Sequence, residues 1–101
     1  MNKKAEYHKA RRLELKRWFR EEYLPSQKCA NCNESHPACI DFHHKDPHTK
    51  DAGIARILHD TRSKSTLMKE LEKCIALCAN CHRKLHYEQM MQGDISLGYN
   101  N

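Results

Sequence analysis

No stretch of 18 apolar residues occurs in the chain, so no segment has the make-up of a membrane-spanning helix. The opening Met1-Asn2-Lys3-Lys4-Ala5 runs into charged residues rather than an apolar segment, which argues against a secretory signal and predicts a cytoplasmic location. A reducing compartment disfavours disulfides, so the six cysteines read as metal ligands plus spares. There is no low-complexity tract, and no internal repeat beyond a doubled Cys-Ala-Asn-Cys. Mean hydropathy is low at −0.95, yet 39% of residues are apolar, which excludes a chain disordered by composition.

A chain of 101 residues holds one domain and little more. So short a chain buries a modest share of its surface, and a metal staple would supplement its core. Eighteen Lys and Arg against 13 Asp and Glu leave a charge of +5, a balance that favours an anionic partner, nucleic acid first.

Residues 5–24 have the pattern of a helix. Leu15, Phe19 and Tyr23 recur every four residues beside Trp18, a stripe expected to pack in the core. The opposite face carries Lys9, Arg12, Lys16 and Arg20, and Pro25 should end the helix. Because its charges are nearly all of one sign, this face is the expected nucleic-acid contact, with Arg12, Lys16 and Arg20 as its centre. Such binding would be electrostatic and weakly sequence-specific. A loop follows over 28–39, a short strand over Ala38–His44, a turn at Asp46-Pro47-His48-Thr49 and a helical turn over Ile54–His59. Ser65 suits the N-cap of a helix from Thr66 to about Lys73, with Leu67, Leu71 and Cys74 on one face. A last helix runs from about Asn80 to Gln92, stopped by Gly93. The divisions are a basic amphipathic helix over 1–25, a central domain over 26–92 and a loose tail over 93–101.

Cys29-x2-Cys32 and Cys78-x2-Cys81 have the spacing of one tetrahedral zinc site with four sulfur ligands. The segment between the pairs, 33–77, exceeds an ordinary zinc-ribbon loop and implies a folded insert. Cys39 and Cys74 lack such partners and read as buried small apolar residues. His82 and His86, four apart, share a helix face and can grip one ion. His43 and His44 lie on the strand inside the insert, and pinning the two cysteine pairs together brings that strand towards the head of the last helix. Neighbouring strand residues face opposite sides, so both histidines serve one site only if the site wraps the strand edge. Asp41, on the face of His43, is a rival metal ligand. Asp46 reads as a turn residue, and His8, His36, His48 and His59 as ordinary polar residues.

The segments Cys29-x2-Cys32, Asp41-Phe-His-His44-Lys-Asp-Pro47 and Leu77-Cys-Ala-Asn-Cys-His-Arg-Lys-Leu-His86 resemble the HNH endonucleases of the ββα-metal (His-Me finger) type, the small zinc-containing proteins of phages and mobile elements in particular. The resemblance covers roughly residues 28 to 88. It implies an α+β fold: a ββα-metal core with a four-cysteine structural zinc, joined to the basic N-terminal helix. It also implies hydrolysis of DNA phosphodiester bonds. His43 would be a ligand of the catalytic ion, His44 the general base, His82 the second ligand and His86 the additional helix ligand of the colicin-type branch. The family's middle Asn, which orders the loop that orients the base, is missing. Lys73 stands at its position, nine before His82, and Glu72 or Lys73 is the expected substitute. Zn2+ would be the structural ion and Mg2+ or Mn2+ the catalytic one, with Ni2+ or Zn2+ also compatible with imidazole ligands. Double-stranded DNA is the expected partner and a membrane is not. Cleavage of both strands would call for a homodimer, two visits or a larger phage or host assembly, in the host cytoplasm if the gene is phage-encoded. The alternatives are a zinc-stapled DNA-binding module without catalysis, and a structural zinc protein that binds another protein.

Overall fold

Asn2 opens the first helix by accepting the Ala5 N–H on its Oδ1 at 2.7 Å, so α1 runs Lys3–Trp18 and starts two residues before the sequence pattern suggests. The computed structural model describes residues 2–60 and 63–93. After Trp18 the helix widens into a π turn over Phe19–Tyr23, where Phe19 and Tyr23 stack at 5.6 Å and 17°. A 3-10 turn over Leu24–Ser26 then closes it. Pro25 sits inside that closing turn rather than beyond the helix, because an early turn position needs no N–H from it. The chain becomes extended at Gln27.

Among the described residues the remaining elements are β1 (Ile40–His44), α2 (Ile54–Asp60), α3 (Lys64–Leu71), β2 (Cys74–Cys78) and α4 (Ala79–Met91), with 3-10 turns over Pro37–Cys39 and Pro47–Thr49, the first of which starts β1 at Ile40 rather than Ala38. This is a small α+β arrangement of four α-helices and one two-stranded antiparallel sheet, paired from Ile40 with Cys78 to His44 with Cys74. The strand β2 is absent from the sequence reading. Cys74-Ile-Ala-Leu-Cys78 shows no polar alternation, and its partner lies 30 or more residues away, so only pairing with β1 defines it. The N-cap of α3 is Ser63, whose Oγ accepts from Thr66 N at 3.3 Å, rather than Ser65. Cys78 ends β2 and caps α4, its Sγ accepting the Cys81 N–H at 3.4 Å. Gly93 follows the last turn with φ +87°, a conformation glycine adopts freely, and stops α4 as expected.

Two apolar clusters hold these elements. Leu15 of α1 and Phe19 of the π turn pack with Ile57, Leu67 and Leu71, and Phe42 reaches them from β1. The aromatic stripe of α1 is therefore core, and the helix shares that core with α2 and α3. Cys29, Ile40, Leu77 and Cys78 form the second cluster, under the sheet and α4. Of the expected loose tail, all residues after Gly93 lie outside the described residues. No described helix is long and apolar enough to cross a membrane.

Candidate metal centres

The first cysteine pair sits on a tight turn. Cys29 N donates to Glu34 O at 2.8 Å, and Asn33 takes the left-handed conformation (φ 68°) that asparagine tolerates. Ala30 N donates to Ala76 O at 2.9 Å, which docks this turn on β2 beside the second pair at the head of α4. The four sulfurs of Cys29, Cys32, Cys78 and Cys81 all lie within 4.8 Å of one another. Cys32 Sγ and Cys78 Sγ are 3.5 Å apart, near the edge of roughly 3.8 Å of a tetrahedron with 2.3 Å Zn–S bonds. Four cysteines thus stand close enough to hold one metal ion such as zinc. Burial raises the Cys29 thiol, but N–H groups of Cys78, Asn31 and Cys32 outweigh it and bring its pKa down to about 6. Cys81 is pushed up to about 12, chiefly by the sulfurs of Cys78 and Cys32. Four neighbouring thiolates repel, and a dication supplies the charge that lets all four ionise.

The second cluster joins β1 to α4. His43, His82 and His86 each offer a nitrogen, and these nitrogens also lie within 4.8 Å of one another. His82 Nε2 and His86 Nε2, one turn apart, are separated by 3.1 Å, close to the spacing of adjacent ligands on one ion with 2.0–2.1 Å bonds, about 3.3 Å. The His43 ring meets the other two edge-on at 5.2 and 5.3 Å between centroids. Burial, then repulsion from His82 and His86, lowers the His43 pKa to about 4, which keeps it the neutral imidazole a metal ligand must be. Asp41, the rival ligand, instead places Oδ2 3.1 Å from His82 Nδ1. A proton on Nδ1 would donate to it and leave Nε2 for the cluster, the usual part of a carboxylate behind a metal-binding histidine.

His44 faces the other side of the strand, as alternation requires. Its Nε2 lies 2.7 Å from Glu70 Oε2, and its side chain is only 2% exposed. Its Nδ1 is buried with no protein hydrogen-bond partner among the described residues. The two faces still communicate. Among the described residues β1 pairs with β2 alone, leaving its other edge unpaired, and a cleft of about 330 Å³ takes in His44, Ile54 and Leu58 together with Asp41 and His82.

Sequence reasoning missed Glu70. It lies in α3 between Leu67 and Leu71, and a charged residue set into an apolar stripe was the available signal. Buried beside them, it accepts from Asp51 N at 3.1 Å on Oε2 and from Lys73 Nζ at 3.0 Å on Oε1. Lys73 also donates to Thr49 O at 2.8 Å and Asp51 Oδ2 at 3.0 Å, while its carbonyl takes the Lys45 N–H at 2.9 Å. Lys73 therefore ties down the segment 45–51, whereas Glu72 is exposed. Cys39 and Cys74 are partly buried free thiols at opposite ends of the sheet, too far apart for a disulfide. Arg12 and Lys16 of α1 are half-buried, and Arg20 of the π turn is exposed. Asp46 caps its turn, accepting from His48 N at 2.9 Å, and His36 does the same for Ala38 N.

No family model matches the chain, and no match was found among curated proteins or solved structures.

Proposed function

We propose that this protein is a metal-dependent DNA endonuclease of the HNH type, with β1, β2 and α4 as its ββα-metal core. The observation that carries the reading is the three-histidine cluster of His43, His82 and His86 at the junction of a two-stranded sheet and the helix that follows it, with His44 on the same strand and a four-cysteine site at the base. A divalent ion bound by the three histidines, Mg2+ or Mn2+ in the working enzyme, would supply charge neutralisation at the scissile phosphate. His44 acts as general base, taking a proton from the attacking water at Nδ1, the nitrogen not engaged by Glu70. Asp41 orients His82, and the four cysteines hold a structural Zn2+ that fixes the head of α4. Arg12 and Lys16 of α1 and Arg20 of the π turn, in a segment with eight Lys and Arg from Lys3 to Arg20, bind the phosphate backbone of double-stranded DNA.

Supercoiled plasmid incubated with Mg2+ or Mn2+ tests the reading. Wild type should nick it, and His44→Ala should lose at least about 10²-fold in rate, the lower end of what a general base contributes. DNA affinity and zinc content should stay unchanged. Plasmid left intact by the zinc-loaded wild type would sink the proposal. The burial of the His44 ring favours a second reading, a zinc-stapled DNA-binding module without catalysis, which predicts DNA binding without nicking.

A further inference from the structure

Glu70 and His44 are far apart in sequence and meet in the core at 2.7 Å, on the face of β1 opposite the three-histidine cluster. The proposed reaction needs a base with one bare nitrogen, and the surroundings of His44 select which nitrogen that is. If the neutral ring carried its proton on Nδ1, the Nε2 lone pair would face a carboxylate oxygen and the Nδ1 proton would be a buried donor without a protein acceptor. Of the two neutral forms, the one protonated at Nε2 meets the carboxylate with a donor and leaves Nδ1 as the bare nitrogen. His44 lines one cleft with Asp41 and His82, so the ring lies beside the proposed metal site.

We propose that Glu70 is the positioning residue of His44: its carboxylate takes the Nε2 proton and so keeps Nδ1 as the bare nitrogen, while Lys73 and the Asp51 N–H hold the carboxylate in place. This rests on the endonuclease reading for its consequence and on hydrogen bonding alone for its geometry. Burial raises the Glu70 carboxyl, but hydrogen bonds from Lys73, His44 and the Asp51 N–H outweigh it and keep the group below the ordinary carboxylate range. The Glu70 charge is matched by Lys73 at 3.0 Å, and Asp51, whose side chain is 85% exposed, is solvated. Lys73 thus connects the segment 45–51, through Thr49 and Asp51, to the same carboxylate that orients the histidine.

The experiment is nitrogen-15 NMR of the histidine rings of the full zinc-loaded chain at pH 7.5, without DNA or added divalent metal, beside single-turnover nicking in Mn2+. Wild-type His44 should carry its proton on Nε2. In Glu70→Gln the amide can accept from Nε2–H or donate to Nε2, so the single form should give way to a mixture. The nicking rate constant should then fall about tenfold or more, towards the ~10²–10⁴-fold a general base supplies, with DNA affinity and zinc content unchanged. A wild-type ring protonated on Nδ1 or on both nitrogens would overturn the proposal, and this measurement stands even if the variant fails to fold. A Glu70→Gln protein with wild-type ring and wild-type rate would overturn it as well. If neither protein nicks DNA, the endonuclease reading fails, and the ring spectrum alone decides the role of Glu70.

Discussion

At the scale of single residues, two carboxylates stand behind two histidines on opposite faces of one strand. Asp41 holds His82 at 3.1 Å and Glu70 holds His44 at 2.7 Å. Asp41→Asn should therefore weaken divalent-metal binding at the three-histidine site by about 10–100-fold, the usual cost of losing such a partner, and leave the four-cysteine site filled. Titration of Mn2+ by calorimetry against zinc-loaded wild type and variant checks this, and equal affinities would remove Asp41 from the site. His43 carries a pH signature. Its pKa is 6.5 as an ordinary histidine and about 4 in the fold. Between those values the unfolded chain binds more protons than the folded one, so stability should fall as pH drops from 6.5 towards 4. Urea midpoints from pH 7 to 5 should show the decline, and His43→Gln should flatten it. A decline identical in His43→Gln would assign it to other groups.

At the scale of elements, α3 carries the structure that the histidines lean on. Ser63 caps it, Leu67 and Leu71 anchor it to α1 and α2, and Glu70 projects from the same buried face. Leu67 is fully buried, so Leu67→Ala should cost about 2–5 kcal/mol of stability. Since α3 sets Glu70 against His44, the damage should reach the histidine face before the four-cysteine cluster. Chemical denaturation with histidine spectra of the surviving folded state would follow both effects. A change under about 1 kcal/mol would mean that α3 is not packed as described. The segment between β1 and α2 depends on α3 too, through the contacts of Lys73 with Thr49, Asp51 and Glu70.

At the scale of the molecule, two small apolar clusters hold a charged chain together, and the four cysteines bind its most distant pieces. The first knuckle hangs between α1 and β1, the second begins α4, and Ala30 bonds to β2 alongside. A zinc ion there would contribute on the order of 10 kcal/mol of coupled folding energy. Strong chelation should therefore unfold the protein, with circular dichroism reporting loss of helix and elemental analysis reporting one tightly held zinc per chain beforehand. Retention of helical signal in a zinc-free sample would contradict this.

Local chemistry made much of the molecule legible from its sequence. Cys-x2-Cys turns present two sulfurs to one point whatever surrounds them, and an i, i+4 histidine pair shares a helix face by the pitch of the helix alone. The helices at Ile54 and Ala79, the stop at Gly93 and the core stripe of Leu15 and Phe19 follow from the same short-range rules. Tertiary structure decided what depends on distant partners. β2 exists because Cys74–Cys78 pairs with Ile40–His44, Asp41 meets His82 because α4 lies over its face of the strand, and Glu70 meets His44 because Lys73 ties the segment 45–51 back against α3. A buried carboxylate and a histidine 26 residues apart leave no periodic trace in sequence, since their pairing is fixed by the packing of a helix on a strand rather than by the geometry of either one.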